Sequence, residues 1–372
     1  MIHIALPDSR QRRLVFYLAM EEYVARHISE LPVNDNGMKE AFFMWQVPPT
    51  VIFGRNQVME AEVNMPYCKS NGVQLYRRKS GGGCVYADMG NIMLSYISDS
   101  TEVAFTFDRF LQRIALLLRN IGLDAERSGR NDVLVDGKKV SGNAFFLLPK
   151  ASIVHGTLLF DSDFDALQKA ITPSDAKIRS KGVESVRQHV INLREAIEAD
   201  PDGMYRNMAD ISLFKEYLLN SLCGDLPSGS GRIKEYILDD EQVRQIEEIE
   251  AGYLDPDFLN GKNHSYSIER KAKLEEIGEM VISLDMNGDT IGNCHLSGDF
   301  FPLKDGADTA LTTVLKGRRN VREEVAAALE AISLEHYILK FTNKDFIDIL
   351  FGEDNIINDT DNGRKSKENL SV

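Results

Sequence analysis

Residues 77–86 read RRKSGGGCVY: three cations, a hydroxyl, three glycines and then a stretch of β type. Consecutive glycines let the backbone adopt conformations closed to other residues and bring bare N–H groups against a ligand. Successive amides of this kind form a concave anion site, and a neighbouring arginine such as Arg78 adds forked hydrogen bonds to a phosphate or carboxylate. The stretch therefore predicts an anion-binding loop, and a solvated glycine-rich hairpin turn is the alternative.

A second informative stretch covers residues 129–145, GRNDVLVDGKKVSGNAF. The Asp-Gly pair at 136–137 is the signal of a two-residue hairpin turn between two strands. On the return strand, simple alternation places Lys139 on the same face as Ser141. A lysine, a serine and then a glycine along one strand suit an anionic ligand, and a surface hairpin with ordinary lysines is the alternative.

Residues 77–91 (RRKSGGGCVYADMGN), which extend the first stretch, residues 129–145 and residues 155–160 (HGTLLF) resemble the three signature blocks of lipoate–protein ligases in their order and spacing. Supporting similarity extends over residues 50–57 and 181–187, so the specific part of the resemblance covers roughly residues 45–195. Residues 255–350 resemble the small accessory domain of this family more loosely.

The resemblance implies an ATP-dependent reaction in two steps. The carboxylate of lipoate attacks the α-phosphate of ATP, giving lipoyl-AMP and pyrophosphate, and the ε-amine of an acceptor lysine then displaces AMP. Both steps gather negative charge at one phosphorus and one carbonyl, so the site needs preorganised cations and amides more than a protein nucleophile. The implied partners are lipoate and lipoyl domains, either those of 2-oxoacid dehydrogenase E2 subunits or the glycine-cleavage H protein.

Carried over residue by residue, the resemblance implies that Lys139 bridges the acyl carbonyl and the α-phosphate. It also implies that Arg78 contacts both ATP and the carboxylate. Asp132 is the implied Mg²⁺ ligand, because magnesium beside a nucleotide needs only one or two carboxylates. The implied nucleotide-binding residues are Arg78, Gly83, Cys84, Val85, Tyr86, Asn91, Asn131, Asp132 and Lys139. The implied lipoate-binding residues are Arg78, Gly83, Lys139, Ser141, Gly142, His155 and Gly156.

Three positions carry competing interpretations. His155 resembles a general base oriented by Asp132, but a hydrogen-bonding wall residue is the favoured interpretation. Cys84 stands where the family commonly has alanine, which favours small size over nucleophilic reactivity. Ala87 stands where the family usually has histidine, so the preference between lipoate and octanoate stays open.

The principal rival is an octanoyl- or lipoyltransferase of the same fold. Those enzymes use a cysteine thiolate, commonly in a Pro-Cys-Gly segment, whereas residues 171–175 here read ITPSD. A biotin ligase is disfavoured because its Gly-Arg-Gly-Arg motif is absent. A non-enzymatic protein that binds lipoate or ATP is the further alternative, which the combination of Arg78, Asp132 and Lys139 disfavours.

The composition excludes several classes of function. The 372 residues carry a formal net charge of −14, which disfavours general nucleic-acid binding, since that needs a basic footprint. No apolar run approaches the ~18–20 residues that span a bilayer, and the first residues lack the pattern of a secretory signal. The four cysteines are scattered without a CxxC pair, as is typical of reduced thiols. We therefore expect a cytoplasmic protein without membrane or nucleic-acid partners.

The order of elements predicts an α+β fold, with a mixed β-sheet in a large domain and a small α+β domain after it. We expect a catalytic domain that binds lipoate and ATP at residues 1–255, an accessory domain at 256–352 and a disordered tail at 353–372. Helices are expected at 13–29, 105–121, 214–222, 307–315 and 321–332. Strands are expected near 41–45, 50–53, 75–78, 84–87, 92–97, 278–286 and 289–296, with hairpins over 132–160.

Overall fold

The chain forms two compact units, which a computed structural model describes over most of its length. The described residues are 1–34, 37–128, 131–171, 189–200, 203–224, 233–261, 266–352 and 356–359. The first unit comprises Met1–Phe53, Glu60–Ser80 and Cys84–Gly261, and the second comprises Gly54–Met59, Gly81–Gly83 and Lys262–Val372. The division thus falls after Gly261, six residues beyond the boundary expected after residue 255.

The first unit is built on an eight-stranded mixed sheet, which confirms the expected α+β class. Its strand order is β11-β1-β2-β6-β10-β9-β8-β7, in which β1 runs parallel to β2 and β11 and the other neighbours are antiparallel. A smaller sheet has the order β4-β3-β5. The strands are β1 (Ile2–Ala5), β2 (Glu40–Trp45), β3 (Thr50–Phe53), β4 (Gln74–Arg77), β5 (Val85–Ala87), β6 (Asn91–Ser98), β7 (Ala125–Ser128), β8 (Asp132–Val135), β9 (Lys138–Leu148), β10 (Ala151–Leu159) and β11 (Glu235–Ile237).

Helices cover both faces of the large sheet. They are α1 (Leu14–Arg26), α2 (Met59–Glu62), α3 (Met65–Ser70), α4 (Val103–Asn120), α5 (Phe164–Ala170), α6 (Leu193–Glu198), α7 (Ile211–Cys223), α8 (Asp240–Tyr253) and α9 (Pro256–Asn260). The expected helices at 13–29 and 105–121 correspond to α1 and α4. The last helix, α9, belongs to the first unit because Arg77 donates two hydrogen bonds, of 3.1 and 2.9 Å, to the carbonyl oxygen of Leu259. Among the described residues, none of the helices is long and apolar enough to cross a membrane.

The two faces of the sheet are separated by the alternation of side chains along each strand. On one face, Trp45 stacks on Tyr17 of α1 with ring centroids 4.8 Å apart. On the opposite face, Tyr96 stacks on Phe110 of α4 with centroids 5.1 Å apart. We call these the α1 face and the α4 face. Helix α1 is buried along nearly its whole length, so its polar residues must find partners inside the protein.

The second unit contains a four-stranded antiparallel sheet of order β14-β13-β12-β15. Its strands are β12 (Ile268–Leu274), β13 (Gly278–Asn287), β14 (Thr290–Gly298) and β15 (Ile356–Asp359), and its helices are α10 (Ala307–Leu315), α11 (Arg322–Leu329) and α12 (Asn343–Phe351). The turn between β13 and β14 contains Gly288, whose φ of +68° is in the left-handed region that favours glycine. The expected β13, β14, α10 and α11 are thus present, whereas β12 and α12 had not been expected.

The C-terminal tail differs from the expectation at four residues. Strand β15 pairs antiparallel with β12, with Ile268 opposite Asp359. Disorder from residue 353 onward is therefore wrong for residues 356–359, because their backbone groups take part in a sheet. Residues 360–372, which complete the predicted tail, lie outside the described residues.

The close approach of the Gly90 backbone to the backbone of Phe160 and Asp161 generates a prediction about stability. The carbonyl oxygen of Gly90 accepts from the amides of Phe160 and Asp161 at 3.1 and 2.8 Å, and a Cβ at position 90 would overlap the Asp161 backbone. We therefore expect Gly90→Ala to lower the free energy of unfolding by about 1–3 kcal/mol, as overpacking does. Urea unfolding followed by circular dichroism measures this change.

Gly252→Ala is the matched control for this prediction. Gly252 lies in α8, where a Cβ would meet no atom within 4 Å. Alanine there should raise the free energy of unfolding by about 0.5–1 kcal/mol, since it has the higher helix propensity. Equal stability of the two variants would contradict the close approach at Gly90.

Candidate active site

The hairpin of β8 and β9 is the local structure that positions Lys139. The turn residues Asp136 and Gly137 have φ values of +50° and +72°, as a tight two-residue hairpin turn requires. Below the turn the register shifts, because Val133 lies opposite Ser141 while Leu134 lies opposite Lys139. The extra residue between these two pairs is Val140, so β9 contains a β-bulge at this point.

The bulge overturns the expectation that Lys139 and Ser141 share a face. A Cβ on Gly142 would lie 2.8 Å from Lys139 Nζ and 2.9 Å from Lys139 Cε, so the lysine side chain extends along the same side as Gly142. Strict alternation then places Ser141 on the opposite side. The expectation failed because one inserted residue changes the parity of every position on one side of it. Gly142 instead supplies the space that the lysine side chain occupies.

Lys139 and Asp132 form an ion pair across the hairpin. Lys139 Nζ lies 2.8 Å from Asp132 Oδ1, and about a third of each side chain is exposed, 36% and 32%. Asp132 lies directly opposite Gly142, which places the carboxylate on the same side as the ammonium group. The structure therefore brings three of the predicted site residues together: Asp132, Lys139 and Gly142.

Other predicted site residues project toward the α4 face. Asn143 donates from Nδ2 to Ser141 Oγ at 3.0 Å, and its side chain occupies the space where a Cβ on Gly156 would lie. Asn131 donates from Nδ2 to the carbonyl oxygen of Asn143 at 2.7 Å. These contacts hold β8, β9 and β10 in register. Ser141, Asn131 and Gly156 therefore support the hairpin, and their expected contacts with lipoate or the nucleotide stay predictions.

The three cations at 77–79 have three different sets of partners. Arg77 is 2% exposed, lies over the ring of Phe53 and donates to the carbonyl of Leu259, and burial lowers its pKa to about 10. Lys79 forms an ion pair of 2.7 Å with Glu22. Arg78 alone of the three joins the polar network that leads to His155. The basic triplet is therefore not one anion-binding cluster, because two of its members are paired elsewhere.

A chain of hydrogen bonds runs through the buried α1 face. Arg78 Nε donates to Ser80 Oγ at 3.0 Å, and Ser80 Oγ lies 2.7 Å from His155 Nε2. His155 Nδ1 lies 2.8 Å from Glu21 Oε2. From the other end, Trp45 Nε1 donates to Ser95 Oγ at 2.9 Å, and Ser95 Oγ donates to Glu21 Oε1 at 2.5 Å.

Glu21 is the functional candidate that sequence reasoning missed. It lies in α1 and is 2% exposed, and His155 on β10 is its partner. The predicted orienter of His155, Asp132, is paired with Lys139 instead, so that part of the general-base hypothesis is wrong. The available signal was the pair Glu21-Glu22 inside an otherwise apolar helix, because a buried carboxylate needs hydrogen-bonding partners.

The predicted nucleotide-binding residues of β5 and β6 are largely buried. Asn91 is 0% exposed, and its Nδ2 donates to the carbonyl oxygen of Tyr86 at 3.4 Å. Tyr86 is 3% exposed, and burial raises the pKa of its hydroxyl. Val85 pairs with Ile52 in the small sheet. Asn91 therefore ties β6 to β5, and its expected contact with adenosine stays a prediction.

Gly83 belongs to the second unit, together with Gly81 and Gly82. In that unit the amide of Gly82 donates to the carbonyl oxygen of Phe300 at 3.3 Å, and a Cβ on Gly81 would overlap the same oxygen. Glycine at position 81 thus permits a close approach of two backbone segments. The expected meeting of Lys139 with the glycine-rich segment stays a prediction.

Asp132 is a chemically suitable but solitary metal ligand. Within the described part of the chain, no group of three or more His, Cys, Asp or Glu side chains could hold a metal ion. A single, partly exposed carboxylate suits Mg²⁺ beside a nucleotide, because magnesium keeps several waters and takes its other ligands from phosphate.

Several predicted features lie outside the described residues. Gly129 and Arg130, which begin the second signature stretch, are among them. The same holds for residues 172–175 of the segment that distinguishes ligase from transferase, and for the supporting similarity at 181–187.

Comparison with known protein families agrees with the two units. Residues 14–222 match a family model described as the lipoyl protein ligase A/B catalytic domain. Residues 263–350 match one described as the C-terminus of bacterial lipoate protein ligases. The chain belongs to the lipoate–protein ligase family.

Curated relatives extend this similarity along most of the ligase. It is 32% identical to "Lipoate-protein ligase LplJ" of Bacillus subtilis over 90% of this chain and 96% of the relative. It is 35% identical to "Lipoate--protein ligase 1" of Staphylococcus aureus over 86% of this chain and 91% of the relative.

Solved structures share the fold of the ligase. P. falciparum LipL1, solved in complex with lipoate, has a TM-score of 0.67 at 20% identity and covers 94% of this chain and 97% of its own. A lipoate-protein ligase A bound with ATP has a TM-score of 0.52 at 25% identity and covers 70% and 99%. A bi-partite ligase from Thermoplasma acidophilum, described with its E2 lipoyl domain, has a TM-score of 0.54 at 26% identity and covers 72% and 99%.

Cys84 of this ligase has the environment of an unreactive thiol. It keeps some solvent contact, but it lies deep among protein atoms, and burial raises the pKa of its thiol. A raised pKa keeps the thiol protonated at neutral pH, and the nucleophilic thiolate appears only when the pH rises well above the ordinary range for cysteine. Cys84 therefore fills space beside the glycines.

We expect the variant Cys84→Ala to retain the activity of the wild type. The physical reason is that the protonated thiol contributes volume and no charge. The measurement is the rate of lipoate attachment at pH 7.5, with iodoacetamide treatment of the wild type as the companion experiment. A lipoyl or octanoyl thioester on Cys84 that forms without ATP would contradict this assignment.

Proposed function

We propose that this ligase activates lipoate with ATP to lipoyl-AMP and then transfers the lipoyl group to one lysine of an acceptor domain. The observation that carries the proposal is the Lys139 ammonium group, held on the bulged hairpin beside Asp132 and over Gly142. The family membership and the relatives named as lipoate ligases support the same reaction.

Lys139 is the proposed catalytic residue. Its compact ammonium group has rotatable donors, which suits charge that moves between the acyl oxygen and the α-phosphate oxygens during adenylation. Its present partner, Asp132, is a partly exposed carboxylate, so phosphate oxygens can compete for the same donors. The lysine is thus placed before ATP arrives, and less reorganisation accompanies binding.

Arg78 is the proposed contact for the nucleotide and the lipoate carboxylate. Its guanidinium group is held by Ser80 and by the carbonyl oxygen of Ile52, to which Nη1 donates at 3.2 Å. A planar guanidinium fixed at two points meets an anion in one orientation. Among the other expected contacts, the backbone amides of Cys84 and Val85 remain candidates for the nucleotide.

ATP is the proposed co-substrate, and the related ligase solved with ATP supports this assignment. We propose Mg²⁺ as its companion, with Asp132 as the protein residue that would hold it together with phosphate oxygens. The metal would supply positive charge at the phosphates, where negative charge concentrates.

Lipoyl domains are the proposed acceptors, either those of 2-oxoacid dehydrogenase E2 subunits or the glycine-cleavage H protein. The related Thermoplasma ligase, described with its E2 lipoyl domain, supports the first class. We propose that activation and transfer take place in the cytoplasm, where cysteine thiols such as the four of this chain stay reduced.

A transferase of the same fold is the second candidate, and two observations disfavour it. The first family model is described for both ligase A and B types, but the match at residues 263–350 is described for lipoate protein ligases. Cys84, which flanks the glycines, has a raised thiol pKa. Acyl transfer through a thioester needs the thiolate form.

The test of the proposed function is lipoate-dependent ATP–pyrophosphate exchange by Lys139→Ala. We expect the exchange rate to fall by about 100- to 1,000-fold, as when one preorganised donor to a developing oxyanion is lost. The fold should persist, because the Lys139 side chain is 36% exposed and packs in no core. Circular dichroism and the thermal unfolding temperature check the fold.

Lys138→Ala is the matched control, since Lys138 precedes Lys139 on the same strand and lies opposite Val135. It should retain exchange close to that of the wild type. Exchange that survives in Lys139→Ala, or a wild type without any exchange, would overturn the proposal.

The acceptor class is tested by mass spectrometry of the modified domain. With lipoate and ATP, the ligase should add one lipoyl group to an isolated E2 lipoyl domain or to the H protein, because only an activated acyl group reacts with an amine. An acceptor in which the target lysine is replaced by arginine should stay unmodified. Modification without ATP would favour the transferase instead.

A further inference from the structure

We propose that Glu21 is a positioning residue for adenylation, whose carboxylate fixes His155 as a neutral imidazole protonated on Nδ1 and, through Ser80, orients Arg78. The assignment of a substrate contact to Arg78 rests on the proposed function. The hydrogen-bond chain itself is independent of that function, because it follows from the distances among residues of α1, β2, β6, β10 and the segment after β4.

The chemistry of the obligate donors and of the carboxylate sets the direction of the hydrogen bonds that they form in the chain. The Trp45 indole and the Arg78 guanidinium can only donate, and an ionised Glu21 can only accept. Ser95 accepts from Trp45, so its own hydroxyl proton is available for Glu21. From both ends, each group therefore donates toward the carboxylate, and no two donor hydrogens face each other along the chain.

The partners of Ser80 assign the protons of His155. Ser80 Oγ accepts from Arg78 Nε at 3.0 Å, and among the described residues His155 Nε2, 2.7 Å away, is the remaining partner that can accept the buried Ser80 hydroxyl proton. His155 Nε2 is then the acceptor, and Nδ1 carries the proton that is donated to Glu21 Oε2 at 2.8 Å. An imidazole that accepts at Nε2 and donates at Nδ1 is neutral.

Because the members of the chain are buried, water cannot readily replace a hydrogen bond that one of them loses. Glu21, Ser80 and Ser95 are at most 2% exposed, and Arg78 and His155 are 5% and 9% exposed. A buried donor or acceptor that loses its partner is therefore left unsatisfied, and its neighbours in the chain must rearrange. In particular, loss of the acceptor at Glu21 frees His155 to turn or change tautomer, and Ser80 then no longer holds Arg78 in one orientation.

One consequence concerns the role of His155. Its Nε2 lone pair is already occupied by the Ser80 hydroxyl, so His155 is engaged at both nitrogens and cannot take a proton from a substrate without breaking the chain. The structure therefore assigns His155 to the support of Arg78, and the fixed guanidinium is what the substrate would meet.

The first measurement is the tautomer of His155 by ¹⁵N NMR of the full chain at pH 7.5. We expect a protonated Nδ1 and an unprotonated Nε2 in the wild type. In Glu21→Gln this single tautomer should be lost, because one amide group can accept through its oxygen from only one side of the chain while its NH₂ donates to the other. A wild-type His155 that is protonated at Nε2 overturns the proposal.

The second measurement is lipoate-dependent ATP–pyrophosphate exchange by the same variants. Glu21→Gln should lose about 10- to 100-fold in kcat/KM, as expected when a hydrogen bond to a charged group is lost. Glu22→Gln is the matched control: Glu22 is the next residue of α1 and 3% exposed, but it pairs with Lys79 and Arg26 instead. An equal loss in both variants, or wild-type kcat/KM in Glu21→Gln, overturns the proposal.

Ser80→Ala keeps the test decisive if Glu21→Gln fails to fold. It disconnects Arg78 from His155 but leaves the contact between His155 and Glu21 in place. We expect a loss of kcat/KM similar to that of Glu21→Gln, with Nδ1 of His155 still protonated. A Ser80→Ala variant with wild-type kcat/KM overturns the positioning role. Absence of exchange in the wild type would reject the proposed function and leave the tautomer result to stand by itself.

Discussion

The β-bulge at Val140 places the Lys139 ammonium group on the side of the hairpin where Asp132 lies. Without the inserted residue, alternation would turn Lys139 toward the side of Ser141 and away from its carboxylate partner. The glycine at 142 then leaves room for the lysine side chain to extend along the strand. The proposed adenylation site depends on this local change of parity, since no other lysine of the hairpin has the same placement.

The α1 face of the sheet also carries the polar residues of α1. These residues are buried, whereas the ion pair of the hairpin is partly exposed. Two neighbouring glutamates of α1 take different partners: Glu21 joins the chain to His155 and Arg78, while Glu22 pairs with Lys79 and Arg26. A helix buried along its length can carry such charges only when each has hydrogen-bonding partners. The polar residues of α1 thus connect the core of the first unit to the residues proposed to meet the substrate.

The two faces of the sheet divide the residues that were predicted to bind lipoate. His155 and Gly142 lie on the side of Lys139, whereas Ser141 and the side chain of Asn143 lie on the other and hold the strands in register. Gly156 is glycine because the Asn143 side chain fills the place of its Cβ. Two residues adjacent in a signature stretch can therefore lie on opposite faces of the sheet.

The sequence by itself determined the family, the α+β class and the hairpin turn at Asp136-Gly137, and it selected Lys139, Arg78 and Asp132 as candidates, because these depend on short-range patterns and residue chemistry. Only the tertiary structure decided the register of β8 against β9, which partner each of Arg77, Arg78 and Lys79 takes, and the pairing of Glu21 with His155, 134 residues away. These features arise from contacts between distant segments, and no local pattern encodes which buried donor meets which acceptor.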